Sequence, residues 1–224
     1  MMNIKGAIFD LDGVLLDSMC IWETLGETYL KSQGIKPLEN VHETLRPMSL
    51  LQAAEYFRND YGMLESVQEI IDGINHLVEQ FYFDFVEMKS GVVDFLEKLK
   101  TNNVKMCITT ATDRLMVDAA LKRNKIDQYF EKIFTCTEVG FGKDEPDIYL
   151  QALDFLGMTK REVFVFEDAM YAIKTAKKAD FSVVAVFDKT AQGQQAEIKK
   201  LADAYITTFQ DIEIESGKIR IISE

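Results

Sequence analysis

Short apolar runs alternate with amphipathic stretches along most of the chain. The first run occupies residues 5–9 and stops abruptly at Asp10; others follow at 104–109, 133–135, 163–166 and 183–186, with a weaker one at 204–207. An apolar run of this length without polar alternation predicts a strand covered on both faces, as in a parallel sheet. Residues 114–123, 147–156 and 169–179 lie between these runs and carry apolar positions at helical spacing. Strands alternating with helices predict βαβ units, and hence an α/β fold with a doubly wound, mainly parallel, Rossmann-like sheet.

Residues 18–88 break that rhythm. Val67, Ile70, Ile71, Ile74, Leu77, Val78 and Phe81 recur at steps of three and four, which predicts one long amphipathic helix. Trp22, Leu25, Tyr29 and Leu30 predict a second helix, and Leu50, Leu51, Ala54 and Phe57 a third. The expected organisation is an α/β core from residues 1–17 and 89–224, with residues 18–88 inserted as a helical domain. The insertion follows the first strand directly, above the sheet edge where open α/β sheets bind ligands. Residues 212–224 alternate isoleucine with charge around Ser216-Gly217, which suits a small hairpin or an ordered terminal extension.

Composition narrows the function classes. With 47% hydrophobic and 28% charged residues among 224, the chain reads as an ordinary globular protein. Net charge is −12, and the longest basic cluster is only Lys122, Arg123 and Lys125. Such a chain repels a phosphate backbone, so nucleic acid is not an expected partner. No apolar run is long enough to span a bilayer, and residues 1–9 lack a signal-peptide pattern, so a cytoplasmic protein without membrane partners is expected. Cys20, Cys107 and Cys136 form no CxxC pair and are read as reduced thiols. His42 and His76, far apart in sequence, offer little for a zinc site or a Ser-His-Asp triad. Any catalysis is then expected to rely on carboxylates.

Asp10 and Asp12 follow the first apolar run with one residue between them, and Gly13 permits a sharp turn. Positions i and i+2 of a strand share a face, and two neighbouring acids repel unless a cation or a shared proton compensates. Glu167 and Asp168 end the run at 163–166. If the two strands are parallel, these acids reach the same sheet edge as Asp10 and supply the oxygen ligands that magnesium prefers. Alone, Glu167-Asp168 would be an unremarkable helix start. Thr110-Ala111-Thr112 stands between a strand and a helix, where a hydroxyl and free backbone N–H groups can hold an anion or simply cap the helix. Lys143, in the loop Gly140-Phe141-Gly142-Lys143, offers a point charge able to neutralise phosphate and nucleophile. Its glycine spacing is not that of a P-loop.

Together these segments resemble the haloacid dehalogenase superfamily, in its branch with a helical cap and β-phosphoglucomutase-like and phosphatase members. The Asp10-to-Ser18 segment, Thr110, Lys143 and Phe166-Glu167-Asp168 match its four motifs in order, over residues 5–212. The resemblance implies Asp10 as nucleophile through an aspartyl phosphate and Asp12 as acid and base. It also implies Mg2+ held by Asp10, the Asp12 backbone carbonyl and Asp168, with Glu167 in or near its shell, and phosphate held by Thr110, Ala111 and Lys143. Asp144, Ala169 and Tyr171-Ala172 depart from the family's usual proline, serine and glycine. Metal-free dehalogenases lack an acid two residues after the nucleophile, so Asp12 favours phosphate chemistry. Trp22 stands where β-phosphoglucomutases carry a hinge histidine, which ranks a phosphatase of small phosphorylated metabolites, such as sugar phosphates, above a hexose-phosphate mutase. A non-catalytic phosphometabolite-binding or regulatory protein is the alternative of another class. In the helical insertion, Arg46 is the one named candidate for substrate contact, and a solvated loop arginine fits it equally well. The expected assembly is a monomer or weak dimer.

Overall fold

A computed structural model describes residues 2–45, 48, 50–215 and 218–222. The described residues fall into two compact units, Met1–Asp17 with Val86–Glu224, and Ser18–Phe85.

The first unit is built on six parallel strands: β2 (Gly6–Phe9), β3 (Lys105–Thr110), β4 (Lys132–Thr135), β5 (Val163–Glu167), β6 (Ser182–Val186) and β7 (Ala204–Ile206), after a short β1 (Met2–Asn3). Their spatial order is β4-β3-β2-β5-β6-β7, so the first long strand lies centrally between β3 and β5. This is the doubly wound α/β arrangement that the sequence pattern predicts. Helices Val92–Thr101, Arg114–Arg123, Asp147–Leu156 and Met170–Lys178 occur between the strands.

Alternation along the strands sends side chains to two cores. Ile8 pairs in register with Cys107 and Val165, and all three join a cluster with Ile148, Tyr149, Ala152 and Ile173. One residue on, Phe9 pairs with Ile108 and Phe166. Phe9 stacks on Phe166 at 4.5 Å between centroids and meets Phe95 edge-on at 6.2 Å. Burying each such ring is worth roughly 1.5–3 kcal/mol. The weak apolar run at 204–207 is the edge strand β7, half-buried at Ala204 and Tyr205. An edge strand has less apolar surface to hide, so its sequence signal is fainter.

The tail forms β8 (Ile212–Glu215) and β9 (Lys218–Ile221), which pair antiparallel and extend to β1. Ile212 and Ile219 are buried, while Glu213 and Arg220 pair on the exposed side. The alternation of isoleucine with charge therefore marks a one-sided antiparallel sheet.

The second unit is helical, with helices Cys20–Ser32, Val41–Leu45, Leu50–Asp60 and Val67–Gln80, the last continuing as a π-turn at Phe81–Phe85. Its core collects Tyr29, Leu30, Ala54, Phe57, Ile70 and Ile74. Ser66 starts the long helix through a capping box with Glu69, satisfying two otherwise orphaned N–H groups. Gly73 lets Tyr29 approach closely: a Cβ there would sit 2.8 Å from the ring. Trp22, counted in an apolar stripe from its spacing, is half exposed.

Candidate active site

Parallel pairing decides where the carboxylates meet. Because β2 lies between β3 and β5, the segments that follow these strands leave the sheet at one edge. Asp10 is the first residue after β2, and its N–H donates to Phe166 O at 2.9 Å, extending the ladder by one rung. Glu167 ends β5, Asp168 follows, and Thr110 ends β3. The chain then turns at Gly13, whose φ of 76° favours glycine, and Gly13 N–H donates to Leu16 O. Val14, Leu15 and Leu16 are buried. This corner is packed rather than solvated.

Asp10, Glu167 and Asp168 each offer a carboxylate oxygen within 4.8 Å of the others, and all three residues are buried. Lys143 is also buried, with Nζ 2.6 Å from both Asp10 Oδ1 and Glu167 Oε1. Tyr149 OH donates to the same Glu167 Oε1 at 2.8 Å. Leu11 N–H donates to Asp10 Oδ1 at 2.7 Å, fixing that carboxylate from the backbone. The Asp12 carboxylate is not among the clustered three; its Oδ2 accepts from Thr112 Oγ1 at 2.6 Å and, at 3.5 Å, from Thr110 Oγ1. Thr110 Oγ1 in turn accepts from Thr112 N–H at 3.0 Å.

The electrostatics follow from crowding acids out of water. Burial, then the neighbouring Glu167, raises the Asp10 carboxyl well above its ordinary range, against the pull of Lys143. Asp168 is pushed up to about 8, by burial first and then by Glu167 and Asp188. Burial alone would lower the Lys143 ammonium, yet Asp10 and Glu167 outweigh it and raise its pKa. One ammonium among clustered carboxylates leaves an excess of negative charge. Glu167 Oε2 is buried and, among the described residues, has no hydrogen-bond partner. An orphaned buried carboxylate oxygen is costly unless something positive faces it. A donor set of carboxylate oxygens suits a hard divalent cation.

Residues 7–186 match the family of haloacid dehalogenase-like hydrolases. This chain belongs to that family. It is therefore a hydrolase by family, and its curated relatives include proteins named as phosphatases and pyrophosphatases. The phosphorylated carbohydrates phosphatase of Thermotoga maritima is 24% identical over 176 residues, covering 79% of this chain and 82% of that protein. A solved Thermotoga maritima structure, provisionally named a beta-phosphoglucomutase, superposes with a TM-score of 0.81 at 23% identity over 91% of this chain and 94% of its own. CbbY from Rhodobacter sphaeroides, solved with xylulose-(1,5)bisphosphate, gives a TM-score of 0.73 at 18% identity over 96% and 98% of the two chains. These two structures share the haloacid dehalogenase fold with this hydrolase.

Of the residues that the sequence put forward in this hydrolase, Asp10, Glu167, Asp168 and Lys143 are joined by short contacts or clustered oxygens, and Thr110 and Asp12 touch each other's surroundings through Thr112. Ala111 joins Thr110 to Thr112 in the loop after β3. Arg46 lies outside the described residues. Sequence reasoning missed the Tyr149 hydroxyl and a second ion pair at the same sheet edge. There, Lys89 Nζ lies 2.8 Å from Asp188 Oδ2, and Asp188 is buried. Asp188 follows the apolar strand β6, the same signal that drew attention to Asp10 and Glu167. Tyr149 carried no such signal, because its spacing is that of an ordinary core position.

Proposed function

We propose that this hydrolase is a magnesium-dependent phosphatase of small phosphorylated metabolites, with sugar phosphates as the favoured class, acting through an aspartyl phosphate. The observation that carries the reading is the buried triad of carboxylates, two of them bridged by Lys143, at the edge of a parallel sheet. The phosphorylated carbohydrates phosphatase among the relatives supports the substrate class.

Asp10, Glu167 and Asp168 are the side chains that would hold Mg2+, with the Asp12 backbone carbonyl as a fourth oxygen. Bound there, the cation shields one anion from another and stabilises charge on the transferring phosphoryl group. Asp10 attacks phosphorus as the bond to the leaving oxygen breaks, giving a covalent carboxyl phosphate. Asp12 gives its proton to that leaving oxygen, and then takes one from the water that attacks phosphorus and frees Asp10. The bond from Thr112 Oγ1 holds the Asp12 carboxylate in place for both transfers. Lys143, Thr110 and the Ala111 N–H bind phosphate oxygens, and Lys143 pulls the Asp10 carboxyl toward its ionised form against the burial and the neighbouring acids that oppose it.

Transfer of the phosphoryl group to a second sugar instead of water would make the protein a mutase. Trp22 in place of a hinge histidine favours water as acceptor. A panel of phosphorylated metabolites assayed with Mg2+ tests the reading, alongside glucose 1-phosphate with a bisphosphate activator. Release of inorganic phosphate by the native protein and its loss in Asp10→Asn is the expected result. Isomer formation without phosphate release would favour the mutase, and undiminished turnover by Asp10→Asn would remove the covalent route.

A further inference from the structure

We infer that the Tyr149 hydroxyl is a positioning group that fixes which oxygen of Glu167 is presented to the divalent cation. The inference rests on the magnesium reading above. Glu167 is fully buried at the end of β5. Among the described residues, both hydrogen bonds of its side chain converge on a single atom: Oε1 accepts from Lys143 Nζ at 2.6 Å and from Tyr149 OH at 2.8 Å. Oε2 is left without a partner among the described residues, although it is buried too. A carboxylate normally spreads its donors over two oxygens, because each lone pair removed from water needs compensation. Two donors on one atom and none on the other describe a group held ready for a third, positive partner.

Lys143 alone is poorly suited to enforce that choice. The terminal torsion of a glutamate is broad and nearly two-fold, so either oxygen can turn to a single flexible donor. Lys143 is also shared with Asp10 at the same distance, 2.6 Å. Tyr149 differs in being rigid. It belongs to the buried helix face of Asp147–Leu156, is wholly enclosed, and its ring packs in the cluster with Ile8, Val165 and Phe181. A fixed second donor to Oε1 removes the freedom of the carboxylate to rotate, leaving Oε2 as the free ligand. Groups that orient a metal ligand in this way shape affinity without touching the ion.

The bland account is that a buried tyrosine hydroxyl needs some acceptor and Glu167 is nearest. The two accounts differ in what Tyr149→Phe does. The substitution keeps the ring and strands no donor, and Glu167 Oε1 retains Lys143. A purely structural hydroxyl would therefore leave cation affinity as it was.

The experiment titrates Mn2+ into substrate-free protein, reads free Mn2+ by electron paramagnetic resonance, and repeats the titration with competing Mg2+. It uses the native protein, Tyr149→Phe, Glu167→Gln and the double variant, each checked for retained fold by circular dichroism. Tyr149→Phe is expected to weaken Mn2+ binding about 10- to 100-fold. In the Glu167→Gln background the same substitution is expected to change it by less than about twofold, since the oriented group is already gone. Native-like affinity in Tyr149→Phe overturns the inference while leaving the magnesium reading standing. Equal weakening in both backgrounds also overturns it, by pointing to general damage. Native protein that binds no Mn2+ overturns the magnesium reading and this inference with it.

Discussion

Replacing Lys143 by methionine probes the centre of the site, because the substitution keeps most of the stem volume and deletes only the charge. Lys143 Nζ lies 2.6 Å from a carboxylate oxygen on each side, Asp10 and Glu167, and all three groups are buried. At an effective dielectric constant near 20, each contact represents a gross attraction of about 6 kcal/mol. Desolvating the ammonium cancels several kcal/mol of that, and proton uptake by the abandoned acids caps the rest. The net expectation is the cost of breaking a buried pair from one side, about 3–5 kcal/mol in metal-free protein. Added Mg2+ should restore part of this loss by supplying positive charge to the same carboxylates. Turnover should fall by a factor on the order of 10² to 10³, the usual cost of one lost electrostatic donor. Urea unfolding followed by far-UV circular dichroism, with chelator and then with Mg2+, reads the stability. The single tryptophan, Trp22, belongs to the Ser18–Phe85 unit, so its fluorescence follows the helical unit separately. A metal-free destabilisation below about 1 kcal/mol would refute the reasoning, since it would mean that the two acids do not need their shared cation.

Two further outcomes follow from the same geometry. Asp12→Asn should retain divalent-cation and phosphate affinity while turnover drops by a factor on the order of 10² to 10⁴; unchanged turnover in steady-state assays would remove Asp12 as the proton carrier. The metal-free protein should lose stability as pH rises. The folded-state pKa of Asp168, about 8, lies above its ordinary 3.8. That contribution is therefore fully present below about pH 4 and is lost as pH climbs through about 8. Melting temperatures in chelator should decline from about pH 5 to about pH 9, and Mg2+ should flatten the decline by competing with the proton. A flat profile in chelator would show that Asp168 is not protonated in the folded, metal-free protein.

Much of this site was legible without coordinates because strands end where apolar runs end. Asp10, Thr110 and Glu167 each close a buried run, and a parallel sheet sends equivalent strand ends to one edge, so their chemistry could be grouped from sequence. Lys143 was legible only as a loop cation with a family counterpart. Its reach to Asp10 and Glu167, 2.6 Å from each, depends on how the loop after Val139 folds. The Tyr149 hydroxyl was not legible at all. A tyrosine at a core-facing helical position looks the same whether its hydroxyl meets water or a carboxylate.

The amino-acid sequence by itself determined the periodicities, and with them the alternating α/β core, the helical insertion and the chemical character of each strand end. Those are local properties, set by which residues must leave water and at what spacing. Tertiary structure decided neighbours: that β2 lies between β3 and β5, that Lys89 meets Asp188 across 99 residues, and that two donors converge on one oxygen of Glu167. Contacts of that kind depend on the strand order and on angstrom-scale packing of side chains from distant segments, which the pattern of any one segment does not encode.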